Sequence, residues 1–250
     1  MRLLVFPDTE TVAAAAASLV RERVRDKPDL TMAVPGGRTP RRMYGLLRAR
    51  QAESPVDFSR MRIFSVDELC APAPAEGYFW RQVCREFLAW AGVPRARCHP
   101  FQIDADDLQE MCRRYDRSIT ECGGLDLVML GLGPNAHLAS NEPGTPFDSL
   151  TRPVGLLPET VAYIATDGVN LDSAGGAVSD RAVTLGLTTI LTAREVVMLV
   201  SGRAKRAALA RVLDGPMTPE TPASILRRHA RCTILADREA RPDSRHDPDI

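Results

Sequence analysis

Residues 123–145 read GGLDLVMLGLGPNAHLASNEPGT. Two glycines open the stretch. An apolar run follows, Leu125–Leu130, broken only by Asp126, and then glycine, proline and asparagine take over. A short apolar run bounded by turn residues is the pattern of a strand buried on both faces. The loop after it holds His137, with Asn135 two residues before and Glu142 five after. A histidine held through one ring nitrogen can move a proton with the other. The competing reading is a packed, hydrogen-bonded core histidine. An amide, a carboxylate and the turn glycines Gly131, Gly133 and Gly144 in one loop weigh against it.

Working outward, similar runs recur. Leu3–Phe6, Leu30–Val34, Arg62–Val66, Val183–Ile190, Val196–Val200 and Thr233–Leu235 read as further strands. Helical patterns run from Asp8 to about Arg25, with Asp8 or Thr9 as the cap, and onward from about Pro40. They recur near 77–91, 105–122, 187–192, 203–213 and 221–229, with strand and helix readings overlapping at 187–190. Strands separated by helices predict an α/β fold: a three-layer sandwich around a mostly parallel sheet. Such sheets bind ligands beyond the carboxyl ends of their strands. Residues 144–181, rich in Gly, Pro, Ser, Thr and Asp, predict a lid or binding loop over a domain spanning 1–236. The charged, proline-containing residues 237–250 predict a flexible tail.

Composition narrows the function. The chain has 250 residues, 44% hydrophobic and 26% charged, with 32 basic and 32 acidic side chains. Zero formal charge supplies no field to attract nucleic acid or an anionic membrane. The start lacks a targeting pattern, and no stretch nears the roughly 20 apolar residues that span a bilayer. The six cysteines form no CxxC pair, and only the adjacent Cys98 and His99 sit close together, so reduced thiols, a cytoplasmic protein and no metal site are expected.

Three further motifs fall at strand ends. PGGRTP, residues 35–40, brings Gly36, Gly37, Arg38 and Thr39 to a strand–helix junction, where glycines and free N–H groups can cradle a phosphate. A plain tight turn needs the same glycines. FSVDEL, residues 64–69, places Asp67 and Glu68 just past a strand, as a general base or merely as a cap and a solvated acid. SGRAK, residues 201–205, ends in Lys205. Only Lys27 and Lys205 are lysines in this arginine-rich chain, so a compact point charge for a phosphate and chance placement both stand.

Taken together, GGRTP, DE after a strand, GGLDLVMLGLGPNAHLASNEPG, AVTLGLTTILTAREVVMLVSGRAK and TPASILRRH resemble the glucosamine-6-phosphate deaminase/isomerase family. The resemblance spans about residues 28–237. The sister family, 6-phosphogluconolactonase, shares the GGxTP loop, but its histidine loop reads like GPDGHTASLFPG, without the glutamate. PGGRTP and the AS after His137 are lactonase-like, whereas NEPG and PAS-x-L-x-x-H are deaminase-like. The resemblance implies a Rossmann-like fold, a sugar-phosphate substrate and no metal or organic cofactor; it leaves homo-oligomerisation open. It implies that Asp67 is the base shuttling a proton between C1 and C2, His137 the ring-opening acid/base and Glu142 its partner. Lys205 and Gly36–Thr39 would hold the phosphate.

Two departures stand out. The family's Asp-Gly-His is Asn135-Ala136-His137 here, and an Asn is associated with the galactosamine-6-phosphate branch, whose loop resembles GLGKNGHLGLNEPG. An amide can accept a hydrogen bond from the imidazole but cannot stabilise its cation, so a less basic histidine is expected. The family's lid arginine falls at Thr166, leaving Arg38 or Arg181 to supply that charge. Two rivals stay open: a sugar-phosphate lactonase, in which His137 activates water and Glu142 has no task, and, on these two departures, a repurposed or non-catalytic sugar-phosphate-binding homologue.

Overall fold

The computed structural model describes residues 1–167 and 178–243. In chain order its strands are β1 (Arg2–Phe6), β2 (Thr31–Val34), β3 (Arg62–Ser65), β4 (Asp67–Leu69), β5 (Cys98–His99), β6 (Leu127–Gly131), β7 (Arg152–Gly155), β8 (Arg181–Thr184), β9 (Glu195–Val200) and β10 (Cys232–Asp237). The α-helices of five or more described residues are α1 (Thr9–Asp26), α2 (Arg41–Glu53), α3 (Tyr78–Val83), α4 (Leu108–Glu121), α5 (Pro158–Ala165), α6 (Leu187–Leu191) and α7 (Arg206–Asp214). Seven strands form one parallel sheet in the order β1-β10-β9-β6-β2-β3-β5. A second, antiparallel sheet, β4-β8-β7, sits apart from it.

The pleat of the central strands builds two cores. In β6, Leu127 and Met129 face one helix layer, while Val128 and Leu130 face the other. In β9, Val197 and Leu199 oppose Val196, Met198 and Val200 in the same way. Burial on both faces explains why these strands are unbroken apolar runs rather than alternating ones. Each such side chain contributes roughly 1.5–3 kcal/mol on burial. The first layer packs Ala13, Ala16, Ala17, Val20 and Val24 of α1 on the sheet. Asp8 starts that helix, its Oδ1 accepting the Thr11 N–H at 2.8 Å. Asp126, the charge in the opening run, lies at the foot of β6. It accepts the Thr31 N–H and is held by Lys27 at 2.6 Å and by Arg194.

The chain winds outward from β2 through β3 to β5, and in the other direction from β6 through β9 to β10. The order therefore reverses between β2 and β6, and a crevice opens beyond their carboxyl ends. The loops leaving β2, β3, β6 and β9 all meet there.

The structure corrects two expectations and adds detail to a third. The run Val183–Ile190 is not one strand: β8 ends at Thr184 and α6 starts at Leu187. Between them, a Cβ on Gly186 would lie 2.2 Å from the backbone of Ser149 and Leu150, so this close crossing turns the chain. The Gly- and Pro-rich 144–181 stretch carries β7, with Pro153 on an edge strand, and α5, with Pro158 at its first turn. Its residues 168–177 lie outside the described residues. The tail does not loosen at Asp237, which is buried at the end of β10. Its carboxylate accepts from Thr9 Oγ1 and from the N–H groups of Gly202 and Ala240. Of that tail, residues 244–250 lie outside the description. No helix among the described residues is long and apolar enough to cross a membrane.

Candidate active site

A cavity of about 130 Å³ occupies the crevice. Gly36, Gly37, Arg38 and Thr39 after β2, Asp67 at the start of β4, His137 after β6 and Lys205 after β9 all line it. Four motifs separated by up to 169 positions thus share one hollow, where the parallel strands end together.

Each loop is held by particular contacts. Gly37 has φ +81 and is clamped by Gln82 of α3, which accepts from its N–H at 2.8 Å and donates to its carbonyl at 2.7 Å. A Cβ on Gly36 would meet Phe79 at 2.4 Å, so only glycine lets the loop lie on α3. In the histidine loop, a Cβ on Gly133 would fall 2.3 Å from the His137 ring. Ala136 and Ala139 carry φ of 71° and 54°, in the left-handed region where glycine is at ease. Ala136, the methyl that replaces the family glycine, is fully buried, and its carbonyl accepts the Ala223 N–H at 3.2 Å.

Asn135 does not touch the imidazole. Its Oδ1 accepts the backbone N–H of His137 at 3.0 Å, and its Nδ2 donates to Glu142 Oε2 at 2.8 Å. The same Oε2 lies 3.5 Å from His137 Nδ1, a buried ring nitrogen with no hydrogen-bond partner among the described residues. Glu142 is thus the carboxylate that backs the histidine, and Asn135 orients Glu142. The sequence expectation, an amide against the ring, is corrected on this point. Burial alone would push the Glu142 carboxyl up; the His137 ring, the Thr160 hydroxyl and the Asn135 amide outweigh it and hold it below its ordinary value.

The two acids after β3 part company. Asp67 faces the cavity, and burial pushes its carboxyl up, opposed by the Ser140 hydroxyl and by His137. Glu68 turns away and accepts the N–H groups of Leu69, Tyr78, Phe79 and Trp80 at 2.8–2.9 Å. It caps α3, whose own N-cap, Gly77, has no side chain to do so.

Lys205 is 9% exposed, its Nζ 4.7 Å from the centre of the Tyr163 ring. Burial, helped by Arg38, pushes its ammonium down to about 8. Arg38 stacks on the same ring at 4.6 Å and donates to the Tyr163 carbonyl at 2.8 Å and to Thr166 Oγ1. Neither cation pairs with a carboxylate among the described residues. The other lysine, Lys27, is spent on Asp126. Of the two arginines expected to replace the lid cation, Arg38 reaches Thr166 itself. Arg181 sits at the exposed start of β8, paired with Gly155, and does not line the cavity.

The sequence reading missed Ser140, the α5 residues Thr160, Tyr163 and Ile164, and Asp167 just after that helix, which together close the cavity. The signal was there: Pro158 opens a stretch in which 160, 163, 164 and 167 fall at helical spacing. Asp167 is held by Arg41 at 3.1 Å, which ties α5 to α2.

Known proteins match this arrangement. A glucosamine-6-phosphate deaminase of Shouchella clausii is 34% identical over 241 residues, covering 96% of each chain. The solved structure of a monomeric glucosamine-6-phosphate deaminase superposes with a TM-score of 0.89 at 30% identity, covering 96% of this chain and 98% of that one. A 6-phosphogluconolactonase from Trypanosoma cruzi shares the fold, with a TM-score of 0.76 at 20% identity over 96% of this chain and 95% of that one. The model for glucosamine-6-phosphate isomerases/6-phosphogluconolactonase matches residues 7–235, and the chain belongs to that family.

Proposed function

We propose that this chain is an amino-sugar-phosphate deaminase/isomerase. It converts a 2-amino-2-deoxyhexose 6-phosphate and water into a 2-ketose 6-phosphate and ammonia. The observation that carries this reading is the joint lining of one cavity by a buried carboxylate, a carboxylate-backed histidine and two cations that pair with no carboxylate among the described residues. The deaminase relatives support the same reaction.

The phosphate settles between Lys205, Arg38 and the Gly36–Thr39 loop, whose Gly37 N–H is already given to Gln82. His137 moves the proton that opens the sugar ring, and Glu142 beside Nδ1 stabilises the charge it gains. Asp67 takes the proton from C2 and returns it to C1, leaving an imine at C2. Water adds there, and ammonia departs. A lactonase leaves Glu142 idle; its place against His137 favours the deaminase.

Ammonia release from glucosamine 6-phosphate, with galactosamine 6-phosphate in parallel to read the stereochemistry, tests the reading. Asp67→Asn, which keeps an acceptor for Ser140, loses turnover by about 10²–10⁴-fold. A folded wild-type protein that turns over neither sugar overturns it.

A further inference from the structure

The AS pair after His137 contains a polar side chain, Ser140, that lines the cavity and that the proposed reaction does not use. Ser140 is 5% exposed, and its Oγ donates to Asp67 Oδ2 at 2.7 Å. Its backbone N–H donates to Thr184 Oγ1 at 3.2 Å, and Thr184 is the partner of Asp67 in the β4–β8 ladder. The next residue, Asn141, is fully buried and donates from Nδ2 to the carbonyls of Leu138 and Leu185 at 2.9 and 2.8 Å. Ala139, left-handed at φ 54°, turns the chain between these anchors. Two separate elements therefore set the position of one hydroxyl. That hydroxyl carries a single hydrogen, so it engages a single carboxylate oxygen. Asp67 Oδ1 receives no hydrogen bond from the described residues, while Asp67 and Ser140 both line the cavity.

We propose that Ser140 is a positioning residue for the proton-transferring base: it locks Asp67 with Oδ1 presented to the sugar carbons and keeps the carboxylate ready to accept a proton. The inference rests on the deaminase reading of the site. Burial alone favours the neutral acid, which cannot act as a base. The other charged groups facing Asp67 are His137, Lys205, Arg38 and Asp167, each on a different loop of the same cavity. Glu68, its chain neighbour, points into the start of α3 instead. Among all of these, only Ser140 gives Asp67 a direct hydrogen bond.

Ser140→Ala lowers kcat about tenfold, leaves KM within about twofold, and moves the acid limb of the kcat profile up by about one pH unit. Ser140→Thr keeps the hydroxyl and restores the limb. A role in folding alone would lower the melting temperature without moving the limb. Isotope-edited NMR titration of the Asp67 carboxyl, assigned with Asp67→Asn, reads the same effect without turnover, so it stays decisive if the deaminase reading fails. Its midpoint rises in Ser140→Ala. A folded Ser140→Ala protein with unmoved midpoint and unmoved acid limb overturns the proposal. If that variant does not fold, Ser140→Cys, similar in volume and a weak donor, decides by the same two readouts.

Discussion

Raising the pH discharges Lys205 while every arginine stays charged, and the consequence can be worked from the structure. In the folded chain burial brings the Lys205 ammonium down to about 8. At pH 7 it is therefore roughly nine-tenths charged, and at pH 9 roughly one-tenth. If it binds the substrate phosphate as proposed, KM is flat below pH 7 and rises about tenfold by pH 9, while kcat does not follow. Lys205→Arg, whose guanidinium does not titrate in this range, flattens the rise even if its absolute KM is poorer. Stability carries the same signature. The unfolded lysine keeps its proton to about 10.5, whereas the folded one releases it near 8. The charged buried form thus costs about 3 kcal/mol below pH 8, and this cost fades as pH rises from 8 to 10.5. An anion in the cavity relieves it. Inorganic phosphate is accordingly expected to raise the melting temperature more at pH 7 than at pH 9.5. Steady-state kinetics from pH 6.5 to 9.5 and thermal scans with phosphate check both. A KM that stays flat to pH 9, or that rises equally in Lys205→Arg, refutes the reasoning.

Asn135→Asp still accepts the His137 N–H but sets a second carboxylate 2.8 Å from Glu142. Two charges that close repel by about 6 kcal/mol at an effective dielectric of about 20, so the pair retains a proton and the acid limb of kcat/KM moves up by at least about one unit. Gly133→Ala pushes a methyl to 2.3 Å from the His137 ring; kcat falls by about 100-fold or more, while circular dichroism keeps the native α/β signature. Arg38→Ala raises KM about tenfold or more, whereas Arg181→Ala leaves it within about twofold, as steady-state kinetics on the phosphorylated sugar will read.

The central strands β2, β6 and β9 were legible because they are buried on both faces and their apolar runs end at or close to glycine or proline, whereas the two-residue β5 showed no pattern. The cavity members Gly36–Thr39, Asp67, His137 and Lys205 were legible because they fall at strand ends. The small sheet was not. Asp67–Leu69 and Arg152–Gly155 are too short and mixed to show a period, and they are strands only because β8 lies between them. Val183–Ile190 misled for a related reason. Its apolar residues are core residues of both a strand and a helix, and only the close crossing at Gly186 divides them.

Local sequence, then, determined the buried central strands, which turns need glycine and which residues carry chemistry, because those properties depend on neighbours a few positions away. Tertiary structure decided the partnerships. Asn135 sits two residues from His137, yet it serves Glu142, because the loop folds back and presents the amide to the carboxylate rather than to the ring. Arg38 reaches Thr166 from 128 positions away, and Ser140 reaches Asp67 from 73 positions away, because segments that are distant in the chain converge at one edge of the sheet.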